Sequence, residues 1–220
     1  MPRVPRVDVG GYTYHVLNRA TARARIFHDN EDYQTFQNIL FNAVHKFSIE
    51  IYSYCIMPNH WHIVFHTNED GVLAKAMQWI TVNHTQQWHS RYKTAGSGHI
   101  YQGRYKSFIV ASDSYLLRLC KYVERNPLTA KLVVNAEDWK WSSLWIRIHG
   151  GHNILSVIPI DVPKDYLSWI NKDDAIEKNL IEISIKRSRP LGNEKWITEI
   201  VEKFKLEVTL RSRGGQRRGT

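Results

Sequence analysis

Four stretches of the chain are rich in β-branched and aromatic side chains, and apolar and polar residues alternate in the first of them, residues 12–20. Such alternation predicts half-buried strands, because successive side chains of a strand point to opposite faces of a sheet. Pro58 and Asn59 separate two of the stretches and predict a tight turn between them. The strands expected on this basis span residues 12–20, 49–57, 60–67 and 106–110.

Four other segments repeat their apolar residues with the spacing of an amphipathic helix. Asp29 or Asn30 is expected to cap the first of these helices, and Ser112 or Asp113 the third. The third helix is expected to end before Pro127, because a proline disfavours helical conformation in the residue before it. The predicted helices span residues 28–47, 72–92, 112–126 and 193–206.

The predicted elements follow the order β-α-β-β-α-β, with a further helix behind the fourth strand. This order predicts an α+β fold of the ferredoxin-like kind, an antiparallel four-stranded sheet with helices on one face. Residues 1–150 are expected to form this domain, and 151–210 a helical C-terminal extension that begins as a loop and an irregular helical segment. Residues 211–220 carry four arginines and three glycines and are expected to be a disordered basic tail.

Composition narrows the classes of function. The 220-residue chain has a formal net charge of +9, which favours a polyanionic partner such as nucleic acid without proving one. It has no apolar run long enough to cross a membrane and no secretory signal pattern. Cys55 and Cys120 are too few for a disulfide framework, so we expect a cytoplasmic protein.

The third predicted strand carries histidines at alternate positions. His60 and His62 share one face of the sheet, whereas Trp61 and Ile63 point to the other face, toward the helices. Two adjacent imidazoles can bind one divalent cation, although such a pair also occurs by chance on strand surfaces. His66 has the same parity but lies near the strand end, so we expect it to be peripheral or to face a substrate.

The third predicted helix offers partners for the histidine pair. Tyr122 and Asn126 are four residues apart and so lie on one helix face. The amide oxygen of Asn126 could complete a metal site while Tyr122 presents its phenol oxygen beside it. A helical tyrosine is more often a packing residue, and Tyr115 lies on nearly the same face as a rival nucleophile.

The motifs "MPNHWH" (57–62) and "YVERNP" (122–127) together resemble those of the single-tyrosine HUH transposases, and more narrowly the REP-associated tyrosine transposases. "YTYHVLNR" and "DWKWSS" extend the resemblance over residues 10–147, and "RPLGNEKW" adds a looser match. The resemblance implies that residues 1–150 are a catalytic domain whose extra helix carries the catalytic tyrosine. It assigns metal binding to His60 and His62, the nucleophile to Tyr122 rather than Tyr115, and the third metal ligand to Asn126.

The implied activity is cleavage and rejoining of single-stranded DNA. Tyrosine attack on a phosphate would give a 5′-phosphotyrosine and a free 3′-hydroxyl, with Mg²⁺ or Mn²⁺ as the cofactor. The implied partner is a single-stranded or hairpin DNA of the REP type, bound by a monomer or homodimer. We expect the basic side chains that contact this nucleic acid to be Arg19, Arg104, Lys106, Arg211, Arg213, Arg217 and Arg218.

Two other functions stay open at this point. The same fold could bind DNA hairpins without cleaving them, although an intact His60, His62 and Tyr122 favours the enzyme. Without the resemblance, the histidine strand could belong to a metal-dependent hydrolase of small phosphoesters. The basic tail argues mildly against that reading, because a small phosphoester does not require an extended cationic surface.

Overall fold

A four-stranded antiparallel sheet organises the protein, and its strands lie side by side in the order β2-β3-β1-β4. The computed structural model describes residues 6–151 and 154–211. This order and the β-α-β-β-α-β succession confirm the predicted ferredoxin-like α+β fold. The strands are β1 (Tyr12–Arg19), β2 (Glu50–Met57), β3 (His60–Thr67) and β4 (Lys106–Val110).

Eight α-helices lie within the described residues. The predicted helices at 28–47, 72–92 and 193–206 are confirmed, each within two residues at both ends. The helices are α1 (Asn30–Phe47), α2 (Val72–Tyr92), α3 (Ser114–Glu124), α4 (Asn126–Thr129), α5 (Ser143–His149), α6 (Tyr166–Asn171), α7 (Ala175–Arg187) and α8 (Glu194–Phe204).

Helices α1 and α2 cover one face of the sheet. Trp61 and Ile63 of β3 are fully buried there against Phe36 of α1 and Met77 of α2, as their parity on the strand predicts. The Asp29 carboxylate accepts hydrogen bonds from two backbone N–H groups of the first turn of α1, so it is the cap of this helix.

Helix α3 covers the opposite face, so helices lie on both sides of the sheet rather than on one. Its residues Leu119 and Cys120 pack against Val64 of β3 and Phe108 of β4. Asp113 caps the helix by accepting from the Tyr115 N–H at 2.9 Å. The helix ends at Glu124 instead of residue 126, and Pro127 falls inside the short helix α4 that follows.

Both edges of the sheet are covered by later parts of the chain. Along β2, the Ile56 N–H donates to the Trp141 carbonyl at 2.9 Å, and the Tyr54 N–H donates to the Ser143 hydroxyl at 3.0 Å. Along β4, Leu191 accepts from the Ala111 N–H and donates to the Ile109 carbonyl, each at 2.9 Å. Covered edges do not offer free backbone groups to another chain.

The C-terminal extension packs into both layers. Ile181 of α7 joins the apolar cluster between the sheet and α3, whereas Ile197, Ile200 and Val201 of α8 join the cluster beneath α1 and α2. The segment predicted as a loop and an irregular helix contains the regular helices α6 and α7. The boundaries predicted between the domain, the extension and the tail stay predictions.

No helix among residues 6–151 and 154–211 is long and apolar enough to span a membrane. Cys55 and Cys120 are both buried, and neither forms a disulfide. Cys55 lies on the second strand and Cys120 on α3, within the apolar cluster between these elements. Both thiols therefore act as small packing groups in the core.

Candidate active site

Two histidines stand side by side on the sheet face that α3 covers. His60 begins β3, and its ring centroid lies 5.1 Å from that of His62 with the planes nearly perpendicular. Across the ladder, Arg19 of β1 pairs with His60, and Leu17 pairs with His62. Because partners in a ladder share a face, the Arg19 side chain emerges beside the histidine pair.

Each histidine of the pair uses its Nδ1 atom in a local contact. His60 Nδ1 lies 2.6 Å from the Asn59 side-chain oxygen, and His62 Nδ1 lies 2.9 Å from His15 Nε2. Neither Nε2 atom has a hydrogen-bond partner within the described part of the chain. Metal-binding histidines commonly hold Nδ1–H in such a contact and bind the ion through Nε2, so this arrangement fits a divalent cation.

Burial keeps both rings neutral. Loss of solvation lowers the pKa of His60 to about 4, with a smaller contribution from the nearby Arg19 guanidinium. Burial also lowers the pKa of His62 well below its usual value, helped by His15, His60 and Arg19. A neutral imidazole is the form that binds a metal ion, so the site is prepared for one at neutral pH.

A third protein ligand for a metal ion at the histidine pair would have to be a side chain other than His, Cys, Asp or Glu. Within residues 6–151 and 154–211, no group of three or more His, Cys, Asp or Glu side chains is arranged to hold a metal ion. Asn126 begins α4, and its side-chain N–H donates to the Tyr122 carbonyl at 3.2 Å. This bond leaves the amide oxygen of Asn126 as the group that could serve a cation, and its role as a ligand stays a prediction.

Tyr122 is the tyrosine that meets the histidine pair. Its ring centroid lies 6.0 Å from that of His62, with the Tyr122 and His62 planes at 82°. Burial raises the pKa of Tyr122 to about 12; Glu182 also raises it, whereas Asn126 and Arg19 oppose the shift. The phenol is therefore protonated at neutral pH.

The rival tyrosine has different surroundings. The Tyr115 ring packs at the margin of the apolar cluster beneath α3, and the Arg118 guanidinium lies 5.1 Å from its centroid. This contact places Tyr115 with Arg118 rather than with the histidine rings. Of the two tyrosines considered, the structure brings Tyr122 to the histidine pair.

Glu124 ties the end of the tyrosine helix to the rest of the fold. Its side chain is completely buried and accepts hydrogen bonds from the Ser143 hydroxyl at 2.5 Å and the Tyr166 hydroxyl at 2.8 Å. The Arg147 guanidinium lies 3.2 Å from the same carboxylate and also donates to the Tyr52 carbonyl. These bonds join α3 to α5, α6 and the β2 edge, so they fix the position from which Tyr122 projects.

Four of the seven basic residues predicted to contact DNA lie within the described residues. Arg19 is half-buried, and its Nε atom is buried without a hydrogen-bond partner in the described structure. Arg104 is exposed in the loop before β4 rather than on a strand, and Lys106 is the first residue of β4. Arg211 is exposed at the end of the described chain. The other predicted DNA contacts lie outside the described residues: Arg213, Arg217 and Arg218.

His66 lies near the end of β3, and the expectation that it is peripheral or faces a substrate stays a prediction. Its Nδ1 lies 3.2 Å from the Thr13 hydroxyl, and its Nε2 lies 3.2 Å from the Asn68 side-chain oxygen. Because both nitrogens already have partners, His66 is not available as a ligand in this arrangement.

Sequence reasoning missed two residues of this site, His15 and Glu124. His15 occupies an inward position of β1, but only the β1–β3 register reveals that it reaches His62. Glu124 stands between Tyr122 and Asn126 in the motif, where its charge suggests a solvated helix face. The available signal was the apolar spacing of α3. The apolar residues from Leu116 to Val123 define a buried helix face, and Glu124 lies beside that face.

Comparison with known proteins identifies the class. The family model described as "Transposase IS200 like" matches residues 8–126, which is more than half of the 220-residue chain. The matched interval contains the histidine pair, Tyr122 and Asn126. The chain therefore belongs to the IS200-like transposase family, whose members process DNA and are generally metal-dependent.

One solved structure supports the fold, and a second is a weaker match. A structure described as the REP-associated tyrosine transposase bound to a REP hairpin is 18% identical, with a TM-score of 0.57 over 80% of this chain and 96% of that one. A candidate transposase from Deinococcus radiodurans R1 is 16% identical, with a TM-score of 0.40 over 57% of this chain and 97% of that one. No curated protein matches the chain.

Proposed function

We propose that this transposase is of the REP-associated type, and that it cleaves and rejoins single-stranded DNA through a 5′-phosphotyrosine formed on Tyr122. The observation that carries the proposal is the contact of the Tyr122 ring with His62, at 6.0 Å between centroids, inside one chain. The proposed nucleophile Tyr122 on α3 therefore lies on the side of the sheet that carries the two neutral imidazoles and the Arg19 side chain. A protein that only bound DNA would not need a tyrosine at this point.

The reaction exchanges one phosphodiester bond for another. The Tyr122 phenol oxygen attacks the scissile phosphorus and loses its proton, and the bond from phosphorus to the upstream 3′-oxygen breaks. The released 3′-oxygen takes up a proton, and the downstream strand remains attached to Tyr122 by its 5′-phosphate. Because the bond energy is retained, attack by a 3′-hydroxyl on this phosphotyrosine rejoins DNA and restores the phenol.

His60 and His62 are the residues that would hold a divalent cation through their Nε2 atoms, with the Asn126 amide oxygen as the third protein ligand. Mg²⁺ or Mn²⁺ bound there would neutralise charge on the phosphate and favour loss of the phenol proton. Arg19 contributes a fixed positive charge beside the same histidines. Its charge also opposes the rise in the pKa of Tyr122 that burial causes.

The proposed substrate is a DNA hairpin with a single-stranded flank. The solved REP-associated transposase, whose fold this chain shares, is described as bound to a REP hairpin. The net charge of +9 supports a polyanionic ligand here. Arg104, Lys106 and the arginines from Arg211 onward are proposed to contact its phosphates.

The test is a denaturing gel of the full chain with end-labelled hairpin DNA taken from the genomic surroundings of its own gene. Reactions contain Mg²⁺, Mn²⁺ or chelator, with Tyr122→Phe and Tyr115→Phe in parallel. The expected result is an SDS-resistant, metal-dependent adduct that is absent only from Tyr122→Phe. An adduct that persists in Tyr122→Phe would refute the assigned nucleophile, and tight binding without cleavage would favour a DNA-binding protein of the same fold.

A further inference from the structure

His15 is a completely buried histidine that lies against the proposed metal ligand His62. Its Nε2 atom is 2.9 Å from His62 Nδ1, and the two rings stack with centroids 5.1 Å apart and planes at 24°. The Phe108 ring packs beside His15 at 4.9 Å. His15 is therefore held between a strand neighbour and a potential ligand, with no access to solvent.

A proton must lie between the two nitrogens for this contact to be a hydrogen bond, and neutral imidazole carries only one. If His15 Nε2 donates, the proton of His62 is on Nε2, and that atom has no lone pair for a cation. If His62 Nδ1 donates instead, its Nε2 lone pair is free and His15 carries its own proton on Nδ1. Only the second arrangement permits metal binding by His62.

The Nδ1 atom of His15 lacks the hydrogen-bond partner that a purely structural buried histidine usually has. His15 Nδ1 is buried and has no hydrogen-bond partner within residues 6–151 and 154–211. By contrast, the buried His84 has its Nδ1 atom 2.6 Å from the Tyr101 hydroxyl. An apolar side chain would fill the position of His15 without leaving a polar atom unpaired. Among the described residues, the one polar contact that His15 makes is with His62.

We propose that His15 is a positioning residue: by accepting a hydrogen bond from the His62 Nδ1–H, it keeps the His62 Nε2 lone pair free to bind a divalent cation. The inference rests on the proposed function, because it presumes that His60 and His62 hold a cation. It adds a residue of β1, opposite the strand that carries the metal motif. Partners of this kind typically change metal affinity 10–100-fold when they are removed.

The test measures Mn²⁺ binding to the full chain without DNA, by electron paramagnetic resonance of free Mn²⁺. His15→Phe retains an aromatic ring but cannot accept a hydrogen bond. His15→Gln places an amide oxygen near the former Nε2 atom and can accept the hydrogen bond from His62. His66→Phe is the matched control, because it removes a histidine of β3 on the same face that does not contact His62 in the described structure.

The expected result is a loss of Mn²⁺ affinity of about 10–100-fold in His15→Phe. Affinity should stay within a few-fold of wild type in His15→Gln and His66→Phe. Wild-type affinity in His15→Phe would overturn the inference while the metal site stands. Equal losses in His15→Phe and His15→Gln would also overturn it, because packing would then be the cause. A wild-type chain that binds no Mn²⁺ would overturn both this inference and the proposed metal site.

A second measurement needs no variant and applies if His15→Phe fails to fold. Nitrogen-15 correlation spectra of histidine-labelled wild-type protein distinguish a protonated Nδ1 from a protonated Nε2. In saturating Mg²⁺ the expected spectrum has His62 protonated at Nδ1 and His15 unprotonated at Nε2. A His62 ring protonated at Nε2 under these conditions would overturn the inference.

Discussion

The Tyr122 ring meets the His62 ring edge to face within a single chain, with their centroids 6.0 Å apart. One chain therefore contains the complete proposed set of nucleophile and metal ligands. We predict that cleavage occurs in cis. An equimolar mixture of His60→Ala and Tyr122→Phe should form no SDS-resistant DNA adduct, because neither chain holds a complete site. The adduct is measured on the denaturing gel used for the wild type.

The control for this experiment is a mixture of wild-type protein with Tyr122→Phe, which should form adduct in proportion to the wild-type share. Adduct restored in the mixture of the two inactive variants would mean that a tyrosine of one copy reaches the histidines of another. That result would contradict the cis prediction without affecting the assignment of Tyr122.

Glu124 should contribute more to stability than a surface carboxylate does. Replacing it with Ala leaves the Arg147 guanidinium and the Ser143 and Tyr166 hydroxyls without their buried acceptor. Loss of one partner from a buried charged network costs about 3–5 kcal/mol of the free energy of unfolding. Urea denaturation followed by circular dichroism measures this change.

Glu31→Gln is the matched comparison for that change. Glu31 lies 3.1 Å from Arg91, but its side chain is 75% exposed, so the pair should contribute about 0–1 kcal/mol. A loss in Glu124→Ala no larger than the loss in Glu31→Gln would show that the buried network does not anchor the end of α3.

Arg19 should bind a DNA phosphate. Its Nε atom is buried without a partner in the described structure, and its strand position is opposite His60. Arg19→Gln should weaken binding of single-stranded DNA and reduce the slope of log affinity against log salt concentration by about 0.7. Fluorescence anisotropy over a salt series gives this slope.

Lys195→Gln controls for the general loss of one positive charge, because Lys195 is an exposed residue of the last α-helix. Its slope should match that of the wild type. An unchanged slope in Arg19→Gln would exclude a phosphate contact and leave Arg19 with an electrostatic effect on the histidines alone.

The sheet and the long helices were predictable because their apolar periods are clear and their boundaries carry turn or capping residues. Alternation at His60 and His62 also placed both imidazoles on the correct face. The break of α3 at Glu124 was not predictable to the residue, since local preference at Pro127 allows the helix to end at several positions. The role of Glu124 depends on Ser143 and Tyr166, which are distant in sequence and meet it only in the folded chain.

The partners of the histidine pair show the same limit. The sequence predicted that the His60 and His62 side chains share a face, because two-residue spacing on a strand is a local property. The contact of His62 with His15 depends on which residues of β1 and β3 stand opposite each other, and hydrophobic alternation alone allows several registers. Long-range register is therefore the information that the structure adds to this site.

His84 should make the protein less stable in mild acid. Burial lowers the pKa of His84 to about 3, with Asp32 opposing the shift, and its ring stacks on Phe27 while its Nδ1 contacts the Tyr101 hydroxyl. Below the usual histidine pKa of about 6.5, His84 binds a proton in the unfolded chain but stays neutral in the folded protein. The free energy of unfolding should thus fall as pH decreases from about 6.5 toward 3, by up to about 1.4 kcal/mol per pH unit from this residue.

Urea titrations at pH 7 and pH 5 measure this effect. The difference in the free energy of unfolding between the two pH values should be smaller in His84→Gln than in the wild type. An equal difference in both proteins would mean that His84 is not the group responsible.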